Sequence, residues 1–172
     1  AKNAALKLLA AATLTGERCR LTNVPEIEDV RVMAQTLTEL GVVVDHPEPG
    51  VYEIAAGDLE WLFVPLEAAA KMRASFILLG PLLARNHEAF VPLVGGDRIG
   101  QRPVDFHITA LEAMGAEIEV TDQGISARAT RLRGAPITLP YPSVGATESV
   151  LLTAALEADR KGVVYGTGEG DG

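Results

Sequence analysis

Residues Asp29–Val51 and Pro103–Ile125 are two versions of one segment, and this duplication limits the folds open to the chain more than any other feature. DVRVMAQTLTELGVVVDHPEPGV and PVDFHITALEAMGAEIEVTDQGI place Val30 opposite Val104, Leu37 opposite Leu111, Gly41 opposite Gly115, Val44 opposite Ile118 and Gly50 opposite Gly124, always 74 positions apart. A repeat of this kind means one supersecondary unit used more than once. Each copy predicts an amphipathic helix stopped by a glycine just past its last turn, then two strands joined by a turn. In the second copy Val104, Ile108 and Leu111 recur at i, i+4 and i+7 and form one apolar stripe. Gly41 and Gly115 are therefore expected to be structural stops.

A second similarity lies ahead of these units. NAALKLLAAATL (Asn3 to Leu14), RASFILLGPLLA (Arg73 to Ala84) and ATESVLLTAALE (Ala146 to Glu157) are rich in small residues and apolar almost all round. Helices without a polar face are expected in an interior, packed on several sides. Pro81 is expected to kink or interrupt the middle one. Leu8-Leu9 and Leu151-Leu152 align 143 positions apart, so a third copy begins near Gly145, and Leu21 aligns with Val164. The chain is expected to stop halfway through this third copy, in the flexible tail GTGEGDG. It also opens on Ala1-Lys2-Asn3, without a strand before its first helix. It is thus expected to be either a piece of a larger protein or a reduced relative of one.

At 172 residues the chain can bury a good core in a single domain. Hydrophobic residues make up 48% and charged residues 22%, the balance of a soluble protein. A net charge of −8 argues against nucleic acid and membrane surfaces as partners, so an anionic ligand would need locally gathered cations. No apolar run approaches the ~20 residues that span a bilayer, and a cytoplasmic location is expected. The single Cys19 excludes an internal disulfide and a cysteine metal site, and is expected to be a buried structural thiol.

The chemistry concentrates in VGGDRIGQRPVDFH, Val94 to His107. Gly95 and Gly96 free the backbone of a loop that carries Asp97 and Arg98, and Ile99 is the large apolar side chain that can anchor its tip. Pro103 suits the first position of a helix, and Asp105 falls in the first turn, where the helix dipole favours an acid. An acid on a mobile loop beside the fixed guanidinium of Arg102 suits proton transfer next to a bound anion. An ordinary polar loop capped by a helix fits the same residues. Pro142-Ser143-Val144-Gly145 leads into the third apolar helix and offers backbone N–H groups and a hydroxyl to a phosphate, although Ser143 is equally a common N-cap. Lys2 and Asn3 stand at another helix start, and Arg73 is a charge in an apolar helix that needs a partner.

These motifs resemble the UDP-N-acetylglucosamine 1-carboxyvinyltransferase family of enolpyruvyl transferases. GG-D-xIG-x-RPVDxH is similar to that family's active-site loop. AKNAAL, KMRAS (Lys71–Ser75), LGPLLAR (Leu79–Arg85) and PSVGATE (Pro142–Glu148) match it in the same order, so the resemblance runs to about Leu156. It implies an α/β fold of repeated βαβαββ units with buried helices inside outer sheets, an inside-out barrel domain over 1–166. Its units would cover about 1–58, 59–133 and a partial 134–166, followed by a tail at 167–172. The implied activity is transfer of the enolpyruvyl group from phosphoenolpyruvate to UDP-N-acetylglucosamine, the first committed step of peptidoglycan synthesis, with no metal or organic cofactor.

By the same resemblance Asp97, Lys2 and Arg102 are catalytic, and Arg73 faces the phosphate or carboxylate of phosphoenolpyruvate. Asn3 contacts the amino sugar, Arg102 serves both substrates, Pro103, Val104 and Asp105 line the uridine, and Ser143, Val144 and Gly145 approach the diphosphate. His107 is expected to act behind the site or structurally. Many members of the family carry Cys where this chain has Asp97, and the antibiotic fosfomycin alkylates that thiol. An Asp preserves a proton donor and removes the drug's target. A second domain or chain is expected to complete the site. An acceptor such as shikimate 3-phosphate, or a non-catalytic nucleotide-sugar-binding fragment, are the alternatives; the RPVD and SVGAT segments favour the uridine sugar.

Overall fold

The computed structural model describes residues 2–57, 59, 63–71, 73–92, 105–140 and 143–157. The first half runs α1 (Lys2–Ala11), β1 (Arg18–Leu21), α2 (Glu28–Glu39), β2 (Val43–Glu48) and β3 (Val51–Ala55). The second half runs α3 (Leu66–Lys71), α4 (Leu79–Asn86), β4 (Glu88–Pro92), α5 (Asp105–Ala113), β5 (Glu117–Val120) and β6 (Gly124–Arg128), and α6 (Val144–Ala154) follows. Two antiparallel three-stranded sheets result, ordered β1-β3-β2 and β4-β6-β5. The topology is duplicated along with the sequence.

The duplication extends to single hydrogen bonds. At the end of α2 the Val42 N–H donates to Leu37 O at 3.0 Å and the Gly41 N–H to Thr38 O at 3.0 Å. At the end of α5 Ala116 N–H donates to Leu111 O at 3.0 Å and Gly115 N–H to Glu112 O at 2.9 Å. Both glycines take a left-handed backbone, φ 89° at Gly41 and 97° at Gly115, which a side chain would strain. They are the helix stops that their spacing predicts.

The expected strand ahead of the second unit's apolar helix consists, among the described residues, of a parallel bridge between Phe63 and Phe90, with Val64 N–H donating to Phe90 O at 3.0 Å. Pro81 does interrupt the apolar helix. Arg73–Leu78 is a 3-10 run, and the α-helix begins only at Leu79, placing Pro81 in its first turn. There the missing N–H goes unneeded, while the ring's clash with the carbonyl four residues earlier keeps the upstream turns out of α geometry.

A single core cluster runs from α1 to α6. Within α4 every residue from Leu79 to Ala84 is buried, because the helix lies between β4, α6 and the 3-10 turn Ala12–Leu14 that follows α1. Burial all round does not extend to the other two apolar helices. Leu8 on α1 is 52% exposed, and Val144 and Leu151 on α6 are 72% and 53% exposed. Among the described residues, nothing packs on those sides to cover them. Cys19 also departs from expectation: it is half-buried, because β1 is an edge strand with one side open. Arg18 and Arg20, on the opposite face, pair with Asp45, Glu53 and Glu48. The two halves are tied together by Arg85 at the end of α4. Its guanidinium donates to Thr13 O at 2.8 Å, to Ala56 O at 2.8 Å and to Gly57 O.

Candidate functional site

The starts of α1, α5 and α6 carry the candidate residues that the structure describes, and the last two form for local reasons. Asp105 occupies the first turn of α5 and is exposed. Ser143 has extended backbone and caps α6, its Oγ accepting the Ala146 N–H at 3.3 Å. Its carbonyl takes both the Thr147 N–H and the Thr147 hydroxyl. A capping hydroxyl keeps its own proton, so Ser143 can still donate to a ligand. Val144 and Gly145 are exposed beside it.

His107 joins these two helix starts. Its Nδ1 lies 2.9 Å from Ser149 Oγ on α6, and a Cβ built on Gly145 would lie 3.5 Å from both its Cε1 and its Nε2. Phe76, from the 3-10 run that begins at Arg73, closes a third side, with ring centroids 4.9 Å apart and planes at 85°. Burial holds the imidazole pKa below its usual 6.5, so the ring is neutral at physiological pH.

Across the core, Lys7 on α1 forms a half-buried ion pair with Glu148 on α6. Asn3, an exposed residue in the first turn of α1, stands one turn ahead of Lys7. The pair thus fastens the helix bearing Asn3 to the helix bearing Ser143. The sequence held a signal for it, two opposite charges in otherwise apolar helices, each of which needs a partner when buried. Ser149 carried a similar signal, a hydroxyl on a face that packs inward.

Asp97, Arg98, Arg102, Pro103 and Val104 lie outside the described residues, as do the side chains of Lys2 and Arg73. The backbone of Lys2 opens α1 and that of Arg73 opens its 3-10 run. Among the described residues no three His, Cys, Asp or Glu side chains gather closely enough to hold a metal ion, and no helix is long and apolar enough to cross a membrane.

The arrangement defines a mixed α/β repeat domain whose apolar helices share one core and whose described candidate residues lie at helix starts. The chain belongs to the EPSP synthase (3-phosphoshikimate 1-carboxyvinyltransferase) family, which it matches over residues 1–166. It is similar to UDP-N-acetylglucosamine 1-carboxyvinyltransferase of Acidiphilium cryptum, at 51% identity over 158 residues, covering 91% of this chain and 37% of the relative. UDP-N-acetylglucosamine 1-carboxyvinyltransferase 1 of Carboxydothermus hydrogenoformans is 47% identical over 156 residues, with the same coverage. The chain therefore spans little more than a third of the length of these relatives.

Two solved structures share the fold at low identity. The enolpyruvyl transferase NikO from Streptomyces tendae matches with a TM-score of 0.76 at 20% identity, covering 90% of this chain and 36% of that one. EPSP synthase from Acinetobacter baumannii matches with a TM-score of 0.72 at 19% identity, covering 100% of this chain and 40% of that one.

Proposed function

We propose that this chain carries the nucleotide-sugar half of a UDP-N-acetylglucosamine 1-carboxyvinyltransferase site. The observation that carries the reading is the joining of the α5 and α6 starts through His107, Ser149 and Gly145 in a chain whose relatives bear that name. In the proposed reaction the sugar's 3-hydroxyl oxygen attacks C2 of phosphoenolpyruvate and gives up its proton to water, while the methylene carbon takes a proton from Asp97. The tetrahedral intermediate then loses one methyl proton to the Asp97 carboxylate as the C2–O bond to phosphate breaks, which releases inorganic phosphate and leaves the enolpyruvyl ether. Lys2, Arg73 and Arg102 balance the charge of phosphoenolpyruvate, and Asn3 holds the amino sugar. Pro103, Val104 and Asp105 line the uridine, and the first-turn N–H groups of α6 with Ser143 receive the diphosphate.

Further chain completes this site in the proposal. Support comes from the share of the relatives' length that the chain spans and from the exposed apolar side chains Leu8, Val144 and Leu151 on helices that are otherwise interior. The units proposed at 1–58, 59–133 and 134–166, the cytoplasmic location and the insensitivity to fosfomycin belong to the same reading.

Calorimetric titration with UDP-N-acetylglucosamine and with shikimate 3-phosphate, together with a phosphate-release assay, tests it. The expected result is binding of the uridine sugar but not of shikimate 3-phosphate, with poor turnover when no other chain is added. Binding of shikimate 3-phosphate alone would overturn the choice of acceptor. Full turnover by the purified monomer would overturn the need for further chain.

A further inference from the structure

Three of the segments proposed to touch the substrates converge on one side chain. His107 lies two residues past Asp105 on α5, bonds Ser149 on α6 at 2.9 Å, rests on Gly145 in the first turn of α6, and meets Phe76, three residues past Arg73. Ser149 is only 3% exposed, so its hydroxyl is a polar group buried at a helix–helix contact where an aliphatic residue would pack without needing a partner. The directional contact is therefore what this site gains from a histidine. A hydrogen bond fixes the ring's rotation, and the fixed ring sets the spacing between two backbones that each present groups to a ligand.

We propose that His107 is a positioning residue for the nucleotide sugar: anchored on Ser149, it holds the Asp105 turn of α5 against the Ser143–Gly145 turn of α6. The role rests on the nucleotide-sugar reading above. His107 touches no ligand in this scheme. It keeps the base-binding and diphosphate-binding turns at one separation, so that a single nucleotide spans both. Its loss changes affinity because a ligand held at two points tolerates little misplacement of either.

The test uses the whole chain and the variants His107→Phe, His107→Asn and Ser149→Ala, with calorimetry against UDP-N-acetylglucosamine and a thermal melt of each. His107→Phe keeps a ring but loses the bond, and Ser149→Ala removes the partner. Each is expected to weaken binding about tenfold, with the pair together no worse than either alone, since both remove one interaction. His107→Asn can still reach Ser149 and is expected to recover most of the affinity. If His107→Phe does not fold, Ser149→Ala and His107→Asn carry the comparison. Wild-type affinity in Ser149→Ala, or no recovery in His107→Asn, would overturn the proposal while leaving the nucleotide-sugar reading in place. A wild-type chain that fails to bind UDP-N-acetylglucosamine would overturn that reading and this role with it.

Discussion

Substituting Gly80 tests the packing that supports the site. A Cβ at this position of α4 would fall 2.3 Å from Thr153 Oγ1 and 3.1 Å from Ser149 O, so α4 and α6 approach as closely as they do only because position 80 has no side chain. Replacing an interior helical Gly with Ala ordinarily gains up to ~1 kcal/mol of helix propensity. Here overpacking opposes it by about 1–3 kcal/mol. Thr153 must also turn away and lose its 2.7 Å bond to Ser149 O, which contributes about 0.5–1.5 kcal/mol. The expected net loss is roughly 1–3 kcal/mol. Thr153→Ala removes the clashing oxygen, so the double variant should be more stable than the sum of the singles predicts, by about 1–2 kcal/mol. Recovery is incomplete because Ser149 O is backbone and must still yield. Urea denaturation of the four proteins measures the cycle, and UDP-N-acetylglucosamine titration should follow it, since Ser149 also anchors His107. A Gly80→Ala chain as stable as wild type, or a cycle with no coupling, would refute the close-approach explanation.

Arg85→Ala should cost about 2–4 kcal/mol in the same assay, because three carbonyls of the first half lose a charged, half-buried donor. Arg85→Lys should recover less than half, as an ammonium lacks the planar fork. Stability should hold above pH 6.5 and fall as the pH drops below it, because the unfolded chain protonates His107 at the ordinary value while burial keeps the folded imidazole neutral. Denaturation curves of wild type and His107→Phe across that range should differ in this component. Arg102→Ala should weaken both phosphoenolpyruvate and nucleotide-sugar binding by more than the ~0–1 kcal/mol of an exposed ion pair, and Arg102→Lys should restore only part of it. Fosfomycin incubated with the nucleotide sugar should leave the wild-type chain unmodified by mass spectrometry and alkylate Asp97→Cys, because a carboxylate is a far poorer nucleophile toward an epoxide than a thiolate.

The sequence by itself determined the repeated unit, since its evidence is local. A helix stopped by glycine and followed by two strands is written in nearest-neighbour spacing, and Gly41 and Gly115 end their helices with the same two hydrogen bonds. The N-cap at Ser143, the acidic first turn at Asp105 and the interruption by Pro81 are local in the same sense. Partners were not legible in this way. Nothing in the chain order pairs Lys7 with Glu148 or His107 with Ser149, and nothing says which apolar helix is buried on all sides. Sequence composition makes α1, α4 and α6 equally interior, yet among the described residues only α4 is enclosed, because burial depends on what lies around a helix rather than on what it contains. Cys19 shows the same limit, being apolar enough for a core but placed on an edge strand. The tertiary structure alone decided which side chains meet across the core, because those contacts join residues 42 to 141 positions apart. Their formation is fixed by how whole helices pack.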